Sequence, residues 1–406
     1  MPEPFLKPFR GLLYNRESVG DVGRCVCPPY DIISDPSRYY EQSPFNAIRL
    51  ELPLAENGLD GYDTARRTLD EWLSQGIVAP DSSESVYVYD QEFLVNGVWR
   101  KRRGIVPAVR LDSTRILTHE ETRKKAREDR ERLIERLTTF TSLVFAMYDD
   151  PSREVGDLIS AAEKERLCDF TDEFGIRNTF YRMNKPREMS DLSALMETKL
   201  LYIADGHHRL SVSYKLGLAY LAIYLTDMNG DGIAILPYHR VLKLKDKRPV
   251  KALVSRLEPY FDVTDISRCE GEELTRLIDA ASAASRLSFY IYSSQEKRSL
   301  LFFEQKKAIE FDPNSADTLR NLRVNAIHAG VLKHLLEIED DEISFLNDPG
   351  EATTLVDAGE YDFAVFVPAT SVKEVRDVAE NKLYMPPKST YFYPKVTTGL
   401  VFYKYA

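Results

Sequence analysis

The sequence has little of what builds disulfide scaffolds or membrane spans. Its 406 residues include four cysteines, too few for a disulfide-stapled fold at this length. No apolar run approaches the roughly 18 residues of a membrane span. The first residues lack the charged-then-apolar pattern of a secretion signal. We therefore expect a cytoplasmic protein that does not enter a membrane.

Positive charge is also in deficit. Lys and Arg number 54 against 64 Asp and Glu, which gives a net charge of −10. A general nucleic-acid-binding protein presents a basic surface, so this balance argues against a nucleic-acid partner. The hydrophobic content of 43% is typical of globular proteins. Strand and helix patterns alternate along the chain, which predicts a mixed α/β fold.

The most informative segment is a predicted strand-to-helix junction. The apolar run Leu200–Ala204 predicts a buried strand, and the pattern that ends at Gly217 predicts a helix. Glycine lets a ligand approach the backbone, the first helical turn attracts anions, and Arg209 is suited to phosphate. The alternative is an aspartate N-cap followed by surface histidines. The junction consists of Asp205, Gly206, His207, His208 and Arg209.

Two metal ions, Zn²⁺ and Mg²⁺, are candidates for this junction. Adjacent histidines on a helix point about 100° apart, so His207 and His208 are not a zinc-helix pair. Asp205 offers the oxygen ligands that Mg²⁺ prefers. A histidine can also donate to a phosphate oxygen, and its charge is tunable near neutral pH.

A second candidate site precedes the junction. Thr118 and Glu121 have capping-box spacing, which predicts a helix running to about Leu137. Glu120 could deprotonate a hydroxyl, with His119 as its orienter or acid. The alternative is that acids here only complement the helix dipole. Arg123, on the same polar helix, is either a phosphate contact or solvated.

Three further groups are candidates for the same site. The segment Lys388-Ser389-Thr390 follows two prolines and lacks the glycines of a P-loop, yet its lysine and hydroxyls could contact phosphate. The pair Tyr30-Asp31 after Pro28-Pro29 is either a site element or a capped turn. The pair His239-Arg240 is either a site element or a half-exposed strand end.

The predicted organisation has three segments. The dipeptide Asn96-Gly97 predicts a β-hairpin in the first segment. The hydrophobic pattern also predicts a strand over Asn46–Leu54 and a helix over Val155–Cys168. We expect the aromatic C-terminal segment, from Tyr384 onward, to pack onto the body of the protein and to return to the site. The segments are 1–108, 109–245 and 246–406.

Four separated motifs carry a resemblance to a known family. In their order along the chain they resemble, end to end, a bacterial and archaeal family known as domain of unknown function 1015 (DUF1015). That family carries no settled activity. The motifs are Pro28-Pro29-Tyr30-Asp31, Leu117-Thr118-His119-Glu120, Ala204–Arg209 and Met385–Lys395.

The junction also resembles the phosphate-binding turn of the ParB and sulfiredoxin superfamily, over about Val109–Leu225. Its members include nucleotide-dependent free-serine kinases, CTP-hydrolysing partition proteins and ATP-dependent sulfiredoxins. The resemblance implies a ParB/sulfiredoxin-like core with the terminal segments closing a central cleft. It also implies that the junction holds nucleotide phosphates and that Glu120 is a catalytic base.

The leading hypothesis is a magnesium- and nucleotide-dependent phosphotransferase that acts on a small hydroxylated metabolite. By superfamily analogy the acceptor is free L-serine, the nucleotide is ADP or ATP, and Asp205 binds Mg²⁺. A nucleotide-binding or nucleotide-hydrolysing regulator is the first alternative. A partition-type DNA protein is the second, and the acidic composition argues against it. The sequence is compatible with a homo-oligomer.

Overall fold

The chain forms two compact units. The computed structural model describes residues 3–122, 124–266, 269, 271–295 and 299–406. Unit 1 comprises Met1–Ala234 and Pro394–Ala406, and unit 2 comprises Ile235–Tyr393. This division differs from the three predicted segments because strands from both sides of the expected boundary at residue 108 share one sheet.

Strands and helices alternate along both units, which confirms the mixed α/β class. Within the described residues the strands are β1 (Leu6–Lys7), β2 (Leu12–Tyr14), β3 (Val78–Pro80), β4 (Val86–Val95), β5 (Val98–Val106), β6 (Ala108–Arg110), β7 (Ile116–Leu117), β8 (Thr139–Phe140), β9 (Val144–Tyr148), β10 (Glu165–Thr171), β11 (Arg177–Met183), β12 (Leu201–Asp205), β13 (Tyr220–Asp227), β14 (Ala234–Leu236), β15 (His239–Leu242), β16 (Phe261–Ile266), β17 (Ser288–Ser293), β18 (Ser299–Gln305), β19 (Ile343–Leu346), β20 (Phe363–Phe366), β21 (Tyr391–Tyr393) and β22 (Tyr403–Lys404).

The α-helices of the same residues are α1 (Arg16–Val19), α2 (Ser37–Gln42), α3 (Ile48–Glu51), α4 (Gly61–Ser74), α5 (Lys124–Leu137), α6 (Glu154–Ala161), α7 (Pro186–Met196), α8 (His207–Lys215), α9 (Val250–Leu257), α10 (Gly271–Ala283), α11 (Asp317–Arg320), α12 (Arg323–Asn325), α13 (Pro349–Asp357) and α14 (Val372–Glu380). A π-helix spans Ala326–Leu335. Across the described chain, none of these helices has the length and apolarity needed to cross a bilayer.

The described part of unit 1 is built on a ten-stranded sheet. Its main path runs β10-β11-β4-β5-β13-β9-β12-β7, and β6 joins β1 to β13. The predicted hairpin joins β4 to β5, with Asn96 and Gly97 both at positive φ. Strand β12 lies between β9 and β7, and its fully buried Ile203 belongs to the main apolar core. This placement anchors the carboxyl end of β12, where the predicted site begins.

Two local predictions in unit 1 are wrong. Asn46–Leu54 is not a strand, because the Asn46 side chain accepts a hydrogen bond from the Ile48 amide at 2.9 Å and helix α3 follows. The predicted helix over Val155–Cys168 ends at Ala161 in α6. Cys168 instead lies in β10, where pairing with β11 outweighs the helical propensity of the preceding residues.

The predicted helix start at Thr118 is also wrong. Helix α5 begins at Lys124, and Thr118–Glu120 lie in an irregular segment after β7. Strand β7 pairs in parallel with β12, and the ring of His119 hydrogen-bonds to the Ile203 carbonyl. Contacts with β12 therefore outweigh the capping-box pattern at Thr118. Arg123 lies outside the described residues.

The aromatic tail docks onto the body, as predicted. Residues 394–406 belong to unit 1, and Val401 and Phe402 are buried. Isolated bridges join Leu12 to Phe402 and Cys27 to Thr398. The tail therefore crosses unit 1 as an integral part of its structure.

Unit 2 contains a six-stranded antiparallel sheet among its described residues. The strand order is β16-β18-β17-β20-β15-β19. Apolar clusters cover both faces, one around Leu242 and Phe289 and the other around Val241 and Tyr290. The π-helix contributes Ile327, Val331 and Leu332 to the first cluster.

Candidate functional site

The junction predicted from the sequence is present in unit 1. Strand β12 ends at Asp205, Gly206 has a φ of +88°, and α8 begins at His207. A Cβ atom at position 206 would lie 3.0 Å from Nη2 of Arg209. Glycine is therefore required both by the left-handed backbone and by the guanidinium that folds back over the turn. Helix α8 stops before Gly217, which has a φ of +65°.

The carboxylate of Asp205 is held between two cations. Arg209 donates from Nη2 to Oδ2 at 2.9 Å, and the Lys395 ammonium contacts Oδ1. Burial would raise the pKa of Asp205, but the charges of Lys395 and Arg209 outweigh it and lower this pKa to about 2. Asp205 is thus not an N-cap. It joins the strand end, the first turn of α8 and the tail.

The Arg209 side chain is buried, with 4% of its surface exposed. Its Nη1 donates to the Leu143 carbonyl at 2.7 Å, and Nη2 is used by Asp205. Within the described part of the chain, its buried Nε has no hydrogen-bond partner. One donor of the guanidinium therefore stays available beside the start of the helix.

Two histidines meet at this point. The ring centroids of His119 and His207 lie 4.8 Å apart, with an interplanar angle of 85°. Burial first, and then the neighbouring His207, lower the pKa of His119 to about 3. Burial likewise lowers the pKa of His207 to about 4, although Asp205 opposes the shift. Both rings are therefore neutral at pH 7, and Nε2 of His207 is buried without a partner among the described residues.

The flanking residues of both pairs are more accessible. His208 and Glu120 are half-buried, next in sequence to buried His207 and His119. The contact between the two buried rings therefore brings Glu120 to the same region as the junction. His119 senses the negative charge of Glu120, which places that carboxylate within electrostatic range of the ring.

Tyr30 also lies in this region. The Arg130 guanidinium sits 4.3 Å from its ring centroid. Burial raises the pKa of Tyr30 to about 12, with the charge of Arg209 as the strongest opposing influence. Arg130 is buried and donates to the Glu51 carbonyl at 2.8 Å. Asp31, the second member of the predicted pair, is exposed.

Arg102 and Lys395 are site residues that the sequence analysis missed. Arg102 is 1% exposed, and its Nη2 donates to the Pro394 carbonyl at 2.5 Å and to the Gln91 side chain. Gln91 in turn donates to the Lys395 carbonyl at 3.1 Å. In the described structure no carboxylate forms an ion pair with Arg102, although the charge of Asp205 acts on it. Buried positive charge therefore exceeds negative charge around Asp205.

The model of a family of proteins of unknown function, DUF1015, matches residues 6–325. This chain belongs to the DUF1015 family. The match contains three of the four motifs and ends before the fourth, Met385–Lys395. None of the curated proteins matches the chain.

Several solved structures share a distant likeness. A conserved hypothetical protein from Pyrococcus furiosus is 14% identical, over 72% of this chain and 94% of that one, with a TM-score of 0.37. Free serine kinase in complex with AMP is 14% identical, over 72% and 91%, with a TM-score of 0.39. SbnI with a C-terminal truncation, from Staphylococcus aureus, is 10% identical, over 74% and 87%, with a TM-score of 0.38. A likeness this distant says nothing about activity.

The remaining predicted residues of this DUF1015 protein lie in unit 2. The Lys388 ammonium lies 3.4 Å from the Tyr238 hydroxyl, and the Ser389 hydroxyl donates to the Pro386 carbonyl. Ser389 and Thr390 are buried. A phosphate role for these three residues stays a prediction. The tail lysine that reaches Asp205 is Lys395, seven positions later in the printed sequence.

The pair His239-Arg240 is not a half-exposed strand end. Both residues are fully buried in β15, and adjacent strand residues point to opposite faces of a sheet. The Val367 amide lies 3.4 Å from Nδ1 of His239, whose ring packs against Phe366. The two side chains therefore do not act as one group.

Asp205 does not fit the magnesium role. Both of its oxygens contact cations, so a metal ion there would have to displace Lys395 or Arg209. The described residues also contain no cluster of three or more His, Cys, Asp or Glu side chains arranged for a metal. The carboxylate instead positions the two cations.

Asp205→Asn should destabilise unit 1, because it leaves Arg209 and Lys395 buried without their shared carboxylate. We expect the free energy of unfolding to fall by about 3–5 kcal/mol in urea denaturation. Lys395→Met should cost less, since Asp205 keeps Arg209. Lys388→Met is the matched control and should change stability little. Equal stabilities for Asp205→Asn and wild type would contradict the stabilising role of the Asp205 carboxylate between Arg209 and Lys395.

Stability should also depend on pH through His207. Its folded pKa of about 4 lies below the ordinary value of about 6.5, so the unfolded chain binds the extra proton between these limits. The free energy of unfolding therefore falls as the pH drops from about 6.5 to about 4. In His207→Asn this slope should flatten, whereas the exposed-site control His334→Asn should keep it. If the free energy of unfolding of His207→Asn and wild type depends equally on pH, His207 is not the source of this dependence.

Proposed function

We propose that unit 1 binds the phosphates of a nucleotide at the Asp205–Arg209 junction and transfers a phosphoryl group to a small hydroxylated metabolite. The observation that carries the proposal is the excess of buried positive charge beside a helix start. Asp205 pairs with both Arg209 and Lys395, and Arg102 adds a third buried cation. A buried excess of this kind is stabilised by an anion.

The shape and the donors of the junction suit phosphate. The first amides of α8 have no partners within the helix, and its dipole favours negative charge. Gly206 carries no side chain that would keep an oxyanion from the backbone. Nε of Arg209 and Nε2 of His207 are buried polar atoms without partners among the described residues. A phosphate group would supply acceptors for such donors.

The chemistry would consist mainly of positioning and charge neutralisation. The acceptor hydroxyl attacks phosphorus, its proton passes to Glu120, and the bond from phosphorus to the leaving phosphate oxygen breaks. In this model Arg209 and Lys395 would neutralise the charge that develops on the leaving group. His207, neutral at pH 7, would hold a phosphate oxygen by a hydrogen bond. The resemblance of the junction to the ParB/sulfiredoxin turn supports this assignment of roles.

The partners follow from this model. We propose ADP or ATP as the phosphoryl donor and free L-serine as the first acceptor to test. Nucleotides enter such reactions with Mg²⁺ on their phosphates, so magnesium would accompany the nucleotide rather than Asp205. A nucleotide-binding regulator would need the same phosphate site without the acceptor.

Nucleotide binding should stabilise the protein by mass action, by about 2.7 kcal/mol at a hundredfold excess over Kd. A thermal-shift series with ADP, ATP, CTP and GTP in magnesium buffer measures this effect. Arg209→Lys and Arg209→Met should weaken binding at least tenfold. Arg187→Met, whose side chain is 93% exposed, is the matched control and should bind like wild type. The absence of a shift for every nucleotide with wild type would refute the phosphate site.

Phosphoryl transfer should depend on Glu120. With L-serine as acceptor, phosphorus NMR should show a phosphate monoester of the amino acid. Glu120→Gln should lower the rate by about 10²–10⁴ because it cannot accept the proton, while nucleotide affinity stays unchanged. If free phosphate is the sole product, the kinase hypothesis is wrong and the nucleotide-hydrolysing regulator is the better hypothesis. A full rate in Glu120→Gln would remove this residue as the base.

A further inference from the structure

Unit 2 contains a second buried guanidinium that the proposed function does not use. Arg240 lies in β15 with none of its surface exposed. Its Nη1 donates to the Tyr238 carbonyl at 2.5 Å. Its Nε and Nη2 are buried and have no hydrogen-bond partner among the residues described. These two atoms form the side edge of the guanidinium, whose parallel N–H groups match two oxygens of one anion.

The charge of Arg240 has no compensating carboxylate in the part of the chain that the structure describes. Within the described ranges, no carboxylate forms an ion pair with this residue. Burial by itself lowers the pKa of Arg240 to about 9, so the group is still charged at neutral pH. A buried charge without a counter-ion is costly, and so are its two unmade hydrogen bonds. A bound anion would remove both costs.

Arg240 and a histidine of the π-helix, His328, lie near the same aromatic ring, that of Phe345. The guanidinium of Arg240 lies 5.4 Å from the Phe345 ring centroid, and the ring of His328 lies 6.4 Å from it. His328 is 6% exposed, and its buried Nδ1 has no hydrogen-bond partner in the described structure. Its Nε2 lies 3.7 Å from Asp340. Arg240 and His328 thus bring three unused polar atoms to one apolar setting.

The element that carries His328 is itself unusual. Residues 326–335 form a π-helix, a rare conformation that occurs most often at functional sites. His328 lies in its first half, and Lys333 and exposed His334 lie in its last turn. The charge of Arg240 lowers the pKa of His328, second only to burial, which shows that the two groups are close enough to interact.

We propose that unit 2 binds one small oxyanion of the phosphate class, held by the side edge of Arg240 and by His328. The ligand is small, because Arg240 has no exposed surface, and tetrahedral oxygens can meet the guanidinium and the imidazole together. The proposal rests on unit 2 residues alone and does not depend on the nucleotide site.

Inorganic phosphate is the probe, added to protein dialysed into an anion-poor buffer. Wild type should show a saturable rise in melting temperature or release phosphate on denaturation. In an Arg209→Met background, which removes the proposed unit 1 site, Arg240→Met should lose both. Without phosphate, Arg240→Met should melt at the same or a higher temperature than its parent because an unpaired charge is gone. Arg240→Lys keeps the charge but not the side edge and should bind at least tenfold more weakly. His328→Asn should weaken binding too.

Controls separate this site from unit 1. Arg256→Met, at a half-exposed position, should respond to phosphate like wild type. Arg209→Met should lose nucleotide binding yet keep a phosphate response that Arg240→Met abolishes. Sulfate should replace phosphate, and acetate should not.

The proposal is overturned by equal phosphate responses in Arg240→Met and wild type. It is also overturned if wild type shows neither a saturable response nor phosphate released on denaturation. An acetate response as large as the phosphate response would overturn the assignment to tetrahedral oxyanions.

Discussion

The carboxylate of Asp205 connects three parts of unit 1 that are far apart in the chain. It ends β12, pairs with Arg209 in the first turn of α8, and pairs with Lys395 on the returning tail. Because all three charged groups are largely buried, removing the carboxylate would leave two buried cations without their counter-charge. The geometry of the junction and the docking of the tail therefore depend on one side chain.

Burial also sets the chemical character of the junction. His119 and His207 are neutral at pH 7 because desolvation disfavours their charged forms. The positive charge comes from Arg209 and Lys395, so the site combines cationic side chains with neutral imidazoles. Such a division suits phosphate, which needs both charge and directed hydrogen bonds.

The buried guanidinium groups of Arg209 and Arg240 differ in what surrounds them. Arg209 has a carboxylate, a backbone carbonyl and one unused donor. Arg240 has one carbonyl and two unused donors on a single edge. The first arrangement already contains a counter-charge and one free donor. The second has no counter-charge among the described residues, which is why we assign an anion to it.

Local chemistry was enough to predict the strand end and helix start at the junction and the turn of the hairpin. Positive φ at Gly206, Gly217 and Gly97 follows from residue type, so short patterns are enough to predict these features. Only tertiary structure decided the rest. The contact of His119 with Ile203 of β12 replaces the helix start that a capping-box pattern predicts, and the fold of the tail brings Lys395 to Asp205. Such contacts join residues far apart in sequence, and their energy depends on burial, which local patterns do not specify.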